Sequence, residues 1–192
     1  PNTSDDYCTK IANVKFDPNA KCPVFMKFLD RIMAGSNQMK DYLQRAAGYS
    51  LTGSTKEQCF FIAHGTGANG KSVLLNILRD MMGSYGLNMA MDTLMSKSKG
   101  GGISNDIARL CGTRMVTAME GESNQKMAEF LIKQMTGGDK ITARFLFKEH
   151  FDFTPEFKLW LGTNFKPPLS GDDQATWRRL NLIPFDVVIP LE

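Results

Sequence analysis

The stretch GTGANGKS, residues 65–72, carries the residue types that bind phosphate. Its glycines allow a tight backbone cradle whose N–H groups point at phosphate oxygens. Lys71 can reach the β- and γ-phosphates of a nucleotide, and the Ser72 hydroxyl can ligate Mg²⁺. We therefore predict a site for ATP and Mg²⁺; a glycine-rich turn that matches by chance is the alternative. The residues expected to line it are Gly65, Thr66, Gly67, Ala68, Asn69, Gly70, Lys71, Ser72 and Val73.

Two acidic residues, Glu120 and Glu122, follow an apolar segment, residues 113–119, that we interpret as a buried strand. An acid at the end of a strand beside a phosphate loop can hold Mg²⁺ through water and orient the attacking water. We assign Glu120 to the metal, together with Ser72, and Glu122 to the general base. The two glutamates could exchange these roles, and a solvated acidic turn is the alternative.

Asn164 follows another apolar segment, residues 158–161. An amide at that position can reach the γ-phosphate or the nucleophilic water, as sensor residues do in ring ATPases. A turn asparagine ahead of two prolines is the alternative.

Arg178 and Arg179 lie side by side with no obvious acidic neighbour beyond Asp172 and Asp173. Arginine at a nucleotide can neutralise the charge that develops in phosphoryl transfer. A single P-loop domain rarely points such residues into its own site, so this role needs a head-to-tail ring. A solvated basic turn is the alternative.

The segment ITARFLFKEHFDF, residues 141–153, alternates Phe145 and Phe147 with other residues, breaks at a polar stretch, and then resumes the alternation. This pattern predicts a β-hairpin with a charged tip. Lys148 and His150 at that tip could follow a DNA phosphate backbone without reading bases. On the pattern alone, an ordinary surface hairpin is the stronger interpretation.

The elements that must position these side chains alternate between strands and helices. Buried strands are predicted at residues 59–63, 113–119, 158–161 and 180–185. Helices are predicted at residues 73–82 and 125–135. The alternation predicts a three-layer α/β domain with a parallel central sheet over residues 56–192. A small helical segment precedes it in residues 1–55, with helices starting near residue 23 and spanning residues 38–47; Gly48 ends the second one.

Composition limits the classes of protein to which the chain could belong. The chain has 192 residues, 42% of them hydrophobic, which can fill one core, and no apolar run is long enough to span a membrane. The four cysteines lie far apart and there are only two histidines, so we expect no zinc or disulfide framework and a cytoplasmic location. A net charge of +3 does not by itself indicate nucleic-acid binding. The chain starts at Pro1, and we expect a piece of a longer protein.

Four stretches, in order, resemble the superfamily 3 helicase domain of phage, plasmid and poxvirus primase–helicases. They are GTGANGKS, RMVTAMEGE, KQMTGGDKITARFLFKEHFDFTPEFKLWLGTN and DQATWRRLNLIPF. The resemblance runs from about residue 25 to residue 185. It implies an AAA+-like P-loop ATPase core in a hexameric ring that hydrolyses ATP at subunit interfaces and pulls single-stranded DNA through its centre.

The resemblance also implies roles for single residues. Lys71 and Ser72 match the Walker A residues, Glu120 the Walker B acid and Asn164 sensor 1. The pore hairpin falls at Lys148 and His150, and the interface arginine at Arg178 or Arg179. Gly121 separates the two acids that many members have adjacent, so the general base stays open.

The leading hypothesis is an ATP-dependent DNA helicase motor of a viral or mobile-element replication protein, located in the host cytoplasm if viral. Its expected partners are single-stranded or forked DNA, further copies of the chain, and a linked primase or polymerase domain outside this piece. A nucleotide-gated DNA-binding or loading module is the first alternative. A monomeric P-loop kinase is the second, although the chain offers no arginine-rich lid.

Overall fold

The computed structural model describes residues 8–12, 14–96, 105–119, 126–166, 169 and 173–190. The six described α-helices are α1 Pro23–Ile32, α2 Asn37–Leu51, α3 Lys71–Met81, α4 Asn105–Ala108, α5 Glu129–Gly137 and α6 Gln174–Trp177. The seven described strands are β1 Phe60–His64, β2 Gly86–Ala90, β3 Met115–Met119, β4 Ile141–Ala143, β5 Phe151–Phe153, β6 Lys158–Thr163 and β7 Leu180–Pro184.

Five strands form one sheet in the order β2-β3-β6-β1-β7, and every neighbouring pair is parallel. The fold is therefore α/β with a parallel sheet, as predicted. Strand β2 was not predicted from the sequence. It begins at Gly86, pairs only with β3 and has one fully buried residue, Met89, so it lacks the continuous apolar run of a central strand.

Alternate residues of the central strands face two separate apolar clusters. Phe60 and Ile62 of β1 join a cluster with residues of α5, β4 and β5. Phe61 of β1 and Trp160 of β6 join the other cluster, with residues of α1, α2 and α3, and their rings stack 4.3 Å apart. The sheet is therefore covered on both faces, which explains why the central strands carry runs of consecutive apolar residues.

The two front helices pack directly against the sheet. The indole Nε1 of Trp160 donates to Ser50 Oγ at 2.9 Å, and the hydroxyl of Tyr42 donates to Asn181 Oδ1 at 2.8 Å. The prediction that Gly48 ends α2 was wrong, because the helix continues to Leu51. A glycine inside a helix costs about 1 kcal/mol, and the buried contact of Ser50 in the next turn offsets that cost. The domain boundary at residue 55 stays a prediction.

The hairpin is confirmed at its base and differs at its tip. β4 and β5 pair antiparallel, with Ile141 opposite Phe153. Phe145 and Phe147, predicted to lie in the first strand, fall instead in the loop between the strands.

Within the described ranges, no helix combines the length and apolar character that a membrane span requires.

Candidate phosphate-binding site

The loop between β1 and α3 forms a cradle whose backbone conformation and close packing require glycine at several positions. Gly67 and Gly70 have left-handed backbones, with φ of 113° and 83°. A Cβ on Gly65 would lie 2.2 Å from the carbonyl oxygen of Phe185, whereas Gly67 faces open space. The loop is therefore tight against the protein on one side and open on the other, as a phosphate cradle must be.

Lys71 is the first residue of α3, and its side chain is only 6% exposed. Its ammonium donates to the Gly65 carbonyl oxygen at 2.7 Å, to Asn69 Oδ1 at 2.9 Å and to Asn164 Oδ1 at 2.9 Å. Asn69 is fixed in turn, because its Nδ2 donates to the Phe185 carbonyl at 3.0 Å. The ammonium is thus held over the cradle by neutral oxygens, which a phosphate oxygen can replace.

A cavity of about 250 Å³ opens beside this ammonium. It lies at the carboxyl ends of the parallel strands and at the N-terminus of α3, where backbone N–H groups lack helical partners and favour anions. Its lining residues are Gly67, Ala68, Asn69, Gly70, Lys71, Ser72, Val73, Met119, Gly162 and Asn164. The predicted loop residues from 67 to 73 and Asn164 are therefore together in one site, and the Ser72 side chain is exposed there.

Met119 and Gly162 were missed by the sequence prediction. Met119 ends β3, and a Cβ on Gly162 would lie 2.4 Å from its sulfur. Gly162 follows the apolar residues 159–161 of β6 and lies two residues before Asn164, and a glycine inside a strand often marks a close approach of other atoms. The position of this glycine within the strand was the feature of the sequence that could have placed it in the site.

A side-chain turn positions Asn164 at the end of β6. The Thr163 hydroxyl accepts from the Phe165 N–H at 3.0 Å and donates to the Phe165 carbonyl at 2.8 Å. This turn holds the amide of Asn164 beside Lys71. At the end of β1, burial first, and then the charges of Lys166 and Lys71, lower the pKa of His64, while Asp186 acts in the opposite direction.

The two predicted acids, Glu120 and Glu122, lie outside the described residues. Within the described part of the chain, no group of three His, Cys, Asp or Glu side chains could hold a metal ion.

Arg178 and Arg179 do not reach this cavity. They directly precede β7, at the amino end of the sheet, whereas the cradle lies at the carboxyl end. The Arg179 guanidinium is buried and donates to the Ala175 carbonyl at 2.6 Å and to Gln58 Oε1 at 3.0 Å. Arg178 is exposed, so it alone of the pair presents its side chain to a neighbouring molecule.

Lys148 and His150 are exposed in the loop between β4 and β5. They lie away from the cavity lining and form a separate surface.

Comparisons with known proteins show which family and which relatives the chain resembles. Residues 63–179 match the protein family described as a family of unknown function, DUF5906. A protein named putative helicase in Acanthamoeba polyphaga mimivirus is 36% identical over 187 residues, covering 96% of this chain and 19% of that protein. One named putative helicase in Frog virus 3 is 30% identical over 166 residues, covering 84% of this chain and 17% of that protein. The chain thus spans about a fifth of the length of these relatives.

Two solved structures share the fold. The apo C-terminal region of NrS-1 has a TM-score of 0.62 at 13% identity, covering 94% of this chain and 40% of that one. JCV helicase, crystallised with a small molecule, has a TM-score of 0.55 at 13% identity, covering 88% of this chain and 46% of that one. At these identities the likeness is one of fold.

Proposed function

We propose, from the premise that the chain belongs to the DUF5906 family, that it is the ATP-driven motor domain of a viral DNA helicase of superfamily 3. The observation that carries the proposal is the buried ammonium of Lys71, held over a glycine cradle at the N-terminus of α3, in a residue that lines the cavity. The names of the viral relatives support the helicase class. The strand order and the helices on both faces support a three-layer P-loop core of AAA+ type.

The residues of the cradle fit a nucleoside triphosphate. The backbone N–H groups of the loop and of the first turn of α3 would bind the β-phosphate. Lys71 would exchange its neutral acceptors for β- and γ-phosphate oxygens. The Ser72 hydroxyl and Glu120 would hold Mg²⁺, which neutralises charge on the phosphates. Asn164, already beside the ammonium, would orient the attacking water, and Glu122 would accept its proton.

Subunit contacts would complete the site. Arg178 lies at the sheet end remote from its own cradle and is exposed, so we assign it to the nucleotide of a neighbouring protomer. The buried hydrogen bonds of Arg179 assign that residue to the fold. A head-to-tail arrangement of this kind closes into a ring, for which we propose six copies around single-stranded DNA. Lys148 and His150 would contact the DNA backbone.

ATP hydrolysis with and without single-stranded DNA, together with separation of a forked DNA, tests the proposal on the 192-residue chain. We expect DNA to stimulate hydrolysis, the fork to separate, and light scattering to show an ATP-dependent assembly. The Lys71→Met variant is the inactive control. Stimulated hydrolysis without strand separation would favour the loading module, and hydrolysis by a monomer that ignores DNA would favour the kinase.

A further inference from the structure

The loop between β4 and β5 carries one aromatic side chain that the protein does not cover. Phe147 is 95% exposed, the highest fraction among the large apolar side chains that the structure describes. Its backbone is left-handed, with φ of 60°. That conformation is unfavourable for a bulky residue, and it persists only where the surrounding structure imposes it.

The rest of the loop explains how Phe147 is held outward. The ring of Phe145 stacks on Phe151 with centroids 5.7 Å apart, and Phe151 contacts Phe153 at 6.1 Å. These three rings form a ladder along one side of the hairpin, and Phe147 takes no part in it.

Two hydrogen bonds donated by backbone N–H groups fix the turn itself. The Leu146 N–H donates to Asn105 Oδ1 at 3.3 Å, and the Lys148 N–H donates to the Phe145 carbonyl at 3.0 Å. Because both neighbours of Phe147 are anchored, its ring projects from the tip while the backbone around it stays in place.

Basic side chains surround this ring in the sequence. Arg144, Lys148 and His150 are all exposed, and within the described residues none of them forms an ion pair. Glu149 is the only acid between the strands. An exposed ring beside cations has the composition of sites for single-stranded nucleic acid, in which bases stack on aromatic side chains and cations follow the phosphates.

We propose that Phe147 is a stacking platform for an unpaired base of single-stranded DNA, with the neighbouring cations binding the adjacent phosphates. The inference rests on the proposed function and refines it, because the hairpin then binds bases as well as the backbone. Stacking on an aromatic ring tolerates any base, so the contact adds affinity for single strands without sequence preference.

The test compares two fluorescent strands of equal length, oligo(dT) and an abasic strand that keeps every phosphate. Anisotropy titration of the 192-residue chain should show oligo(dT) bound about fivefold or more tightly than the abasic strand. Phe147→Ala should remove most of that preference and leave the abasic strand bound as before, whereas Phe147→Tyr should keep it. Lys148→Ala should weaken both strands equally.

The matched control is Phe130→Ala, since Phe130 is 77% exposed on α5 and carries the same side chain away from the hairpin. It should leave both affinities unchanged. An unaltered preference in Phe147→Ala would overturn the stacking inference while leaving DNA binding in place. Failure of the wild-type chain to bind either strand would overturn this inference and the proposed function together.

A second measurement reports the contact directly. Trp160 is fully buried and Trp177 is 48% exposed, so Phe147→Trp with Trp177→Phe places one exposed indole at the tip. Its emission should be quenched by oligo(dT) and not by the abasic strand. Equal emission with both strands would contradict base stacking.

Discussion

Two buried lysines lie at opposite ends of the sheet, and their surroundings differ. Lys71, at the carboxyl end, donates to three neutral oxygens and lies against an open cavity. Lys158, the first residue of β6 at the amino end, is 1% exposed and donates to the carbonyls of Thr52 and Ser54. Its ammonium also lies 4.6 Å from the centre of the Tyr49 ring.

The comparison separates Lys71, the lysine for which we propose a binding role, from a lysine that joins two elements of the fold. The contacts of Lys158 join the end of α2 to the sheet, and a ligand that displaced them would have to move the chain after α2. Lys71, in contrast, is one of the residues that line the cavity at the carboxyl end. Burial alone therefore does not distinguish the two lysines, whereas the adjoining cavity makes Lys71 the candidate for ligand binding.

Substitution by methionine should affect turnover at Lys71 and stability at Lys158, and the effect on turnover should be the larger of the two. Lys71→Met removes the charge that binds the transferred phosphate, so we expect ATP hydrolysis to fall by at least about 100-fold. Its free energy of unfolding should change by less than about 1 kcal/mol, because water can reach the vacated oxygens from the cavity. Phosphate-release assays and urea denaturation measure the two quantities. Retained hydrolysis would remove the cradle from the proposed mechanism.

Substitution of Arg178 tests whether the amino end of the sheet acts on the nucleotide of a neighbouring protomer. Arg178→Ala should lower DNA-stimulated hydrolysis by about 100-fold without loss of stability, because an exposed arginine would act only on the neighbour's phosphates. Mixing Arg178→Ala with Lys71→Met subunits should restore part of the activity, since some interfaces then combine two intact halves. Absence of rescue at every mixing ratio would argue against action across an interface.

Arg179→Ala is the matched control for that experiment. It removes two buried hydrogen bonds and should destabilise the fold by about 2 kcal/mol. An equal loss of activity in Arg178→Ala and Arg179→Ala at unchanged stability would contradict the assignment.

Lys158→Met is the counterpart of Lys71→Met. We expect the free energy of unfolding to fall by about 2 kcal/mol, because two charge-assisted hydrogen bonds and the contact with Tyr49 are lost. ATP affinity, measured by calorimetry below the melting range, should stay at the wild-type value. A clear loss of affinity would mean that the two ends of the sheet are coupled.

The contrast also shows what the sequence could predict. The residues of the cradle are consecutive in the sequence, so the spacing of the glycines and of the lysine after them was enough to predict the loop and Lys71. Lys158 entered the prediction only as the start of an apolar strand, because its partners Thr52 and Ser54 are 106 and 104 residues away. The bond between Arg179 and Gln58 spans 121 residues, which is why the sequence could not separate Arg178 from Arg179. Asn164 was predictable because it follows a strand whose end must meet the cradle.

The smallest expected effect concerns pH and again distinguishes Lys158. Burial lowers the pKa of Lys158 to about 8 from its ordinary value of 10.5, and nearby Arg114 adds to the shift. Between these two values the unfolded chain binds more protons than the folded one, so this lysine makes the protein more stable as the pH rises from about 8 toward 10.5.

Cys59 acts in the opposite direction, because burial raises the pKa of its thiol, and the wild-type curve alone therefore mixes the two contributions. The difference between wild type and Lys158→Met reports the lysine together with its charge interaction with Cys59, because each group shifts the pKa of the other. Urea denaturation at pH 7 and pH 9 should show that the wild type gains about 1 kcal/mol relative to the variant over this interval. If the wild type and Lys158→Met instead show the same dependence on pH, then the hydrogen bonds and the Tyr49 ring compensate fully for burial, and Lys158 stays charged throughout the interval.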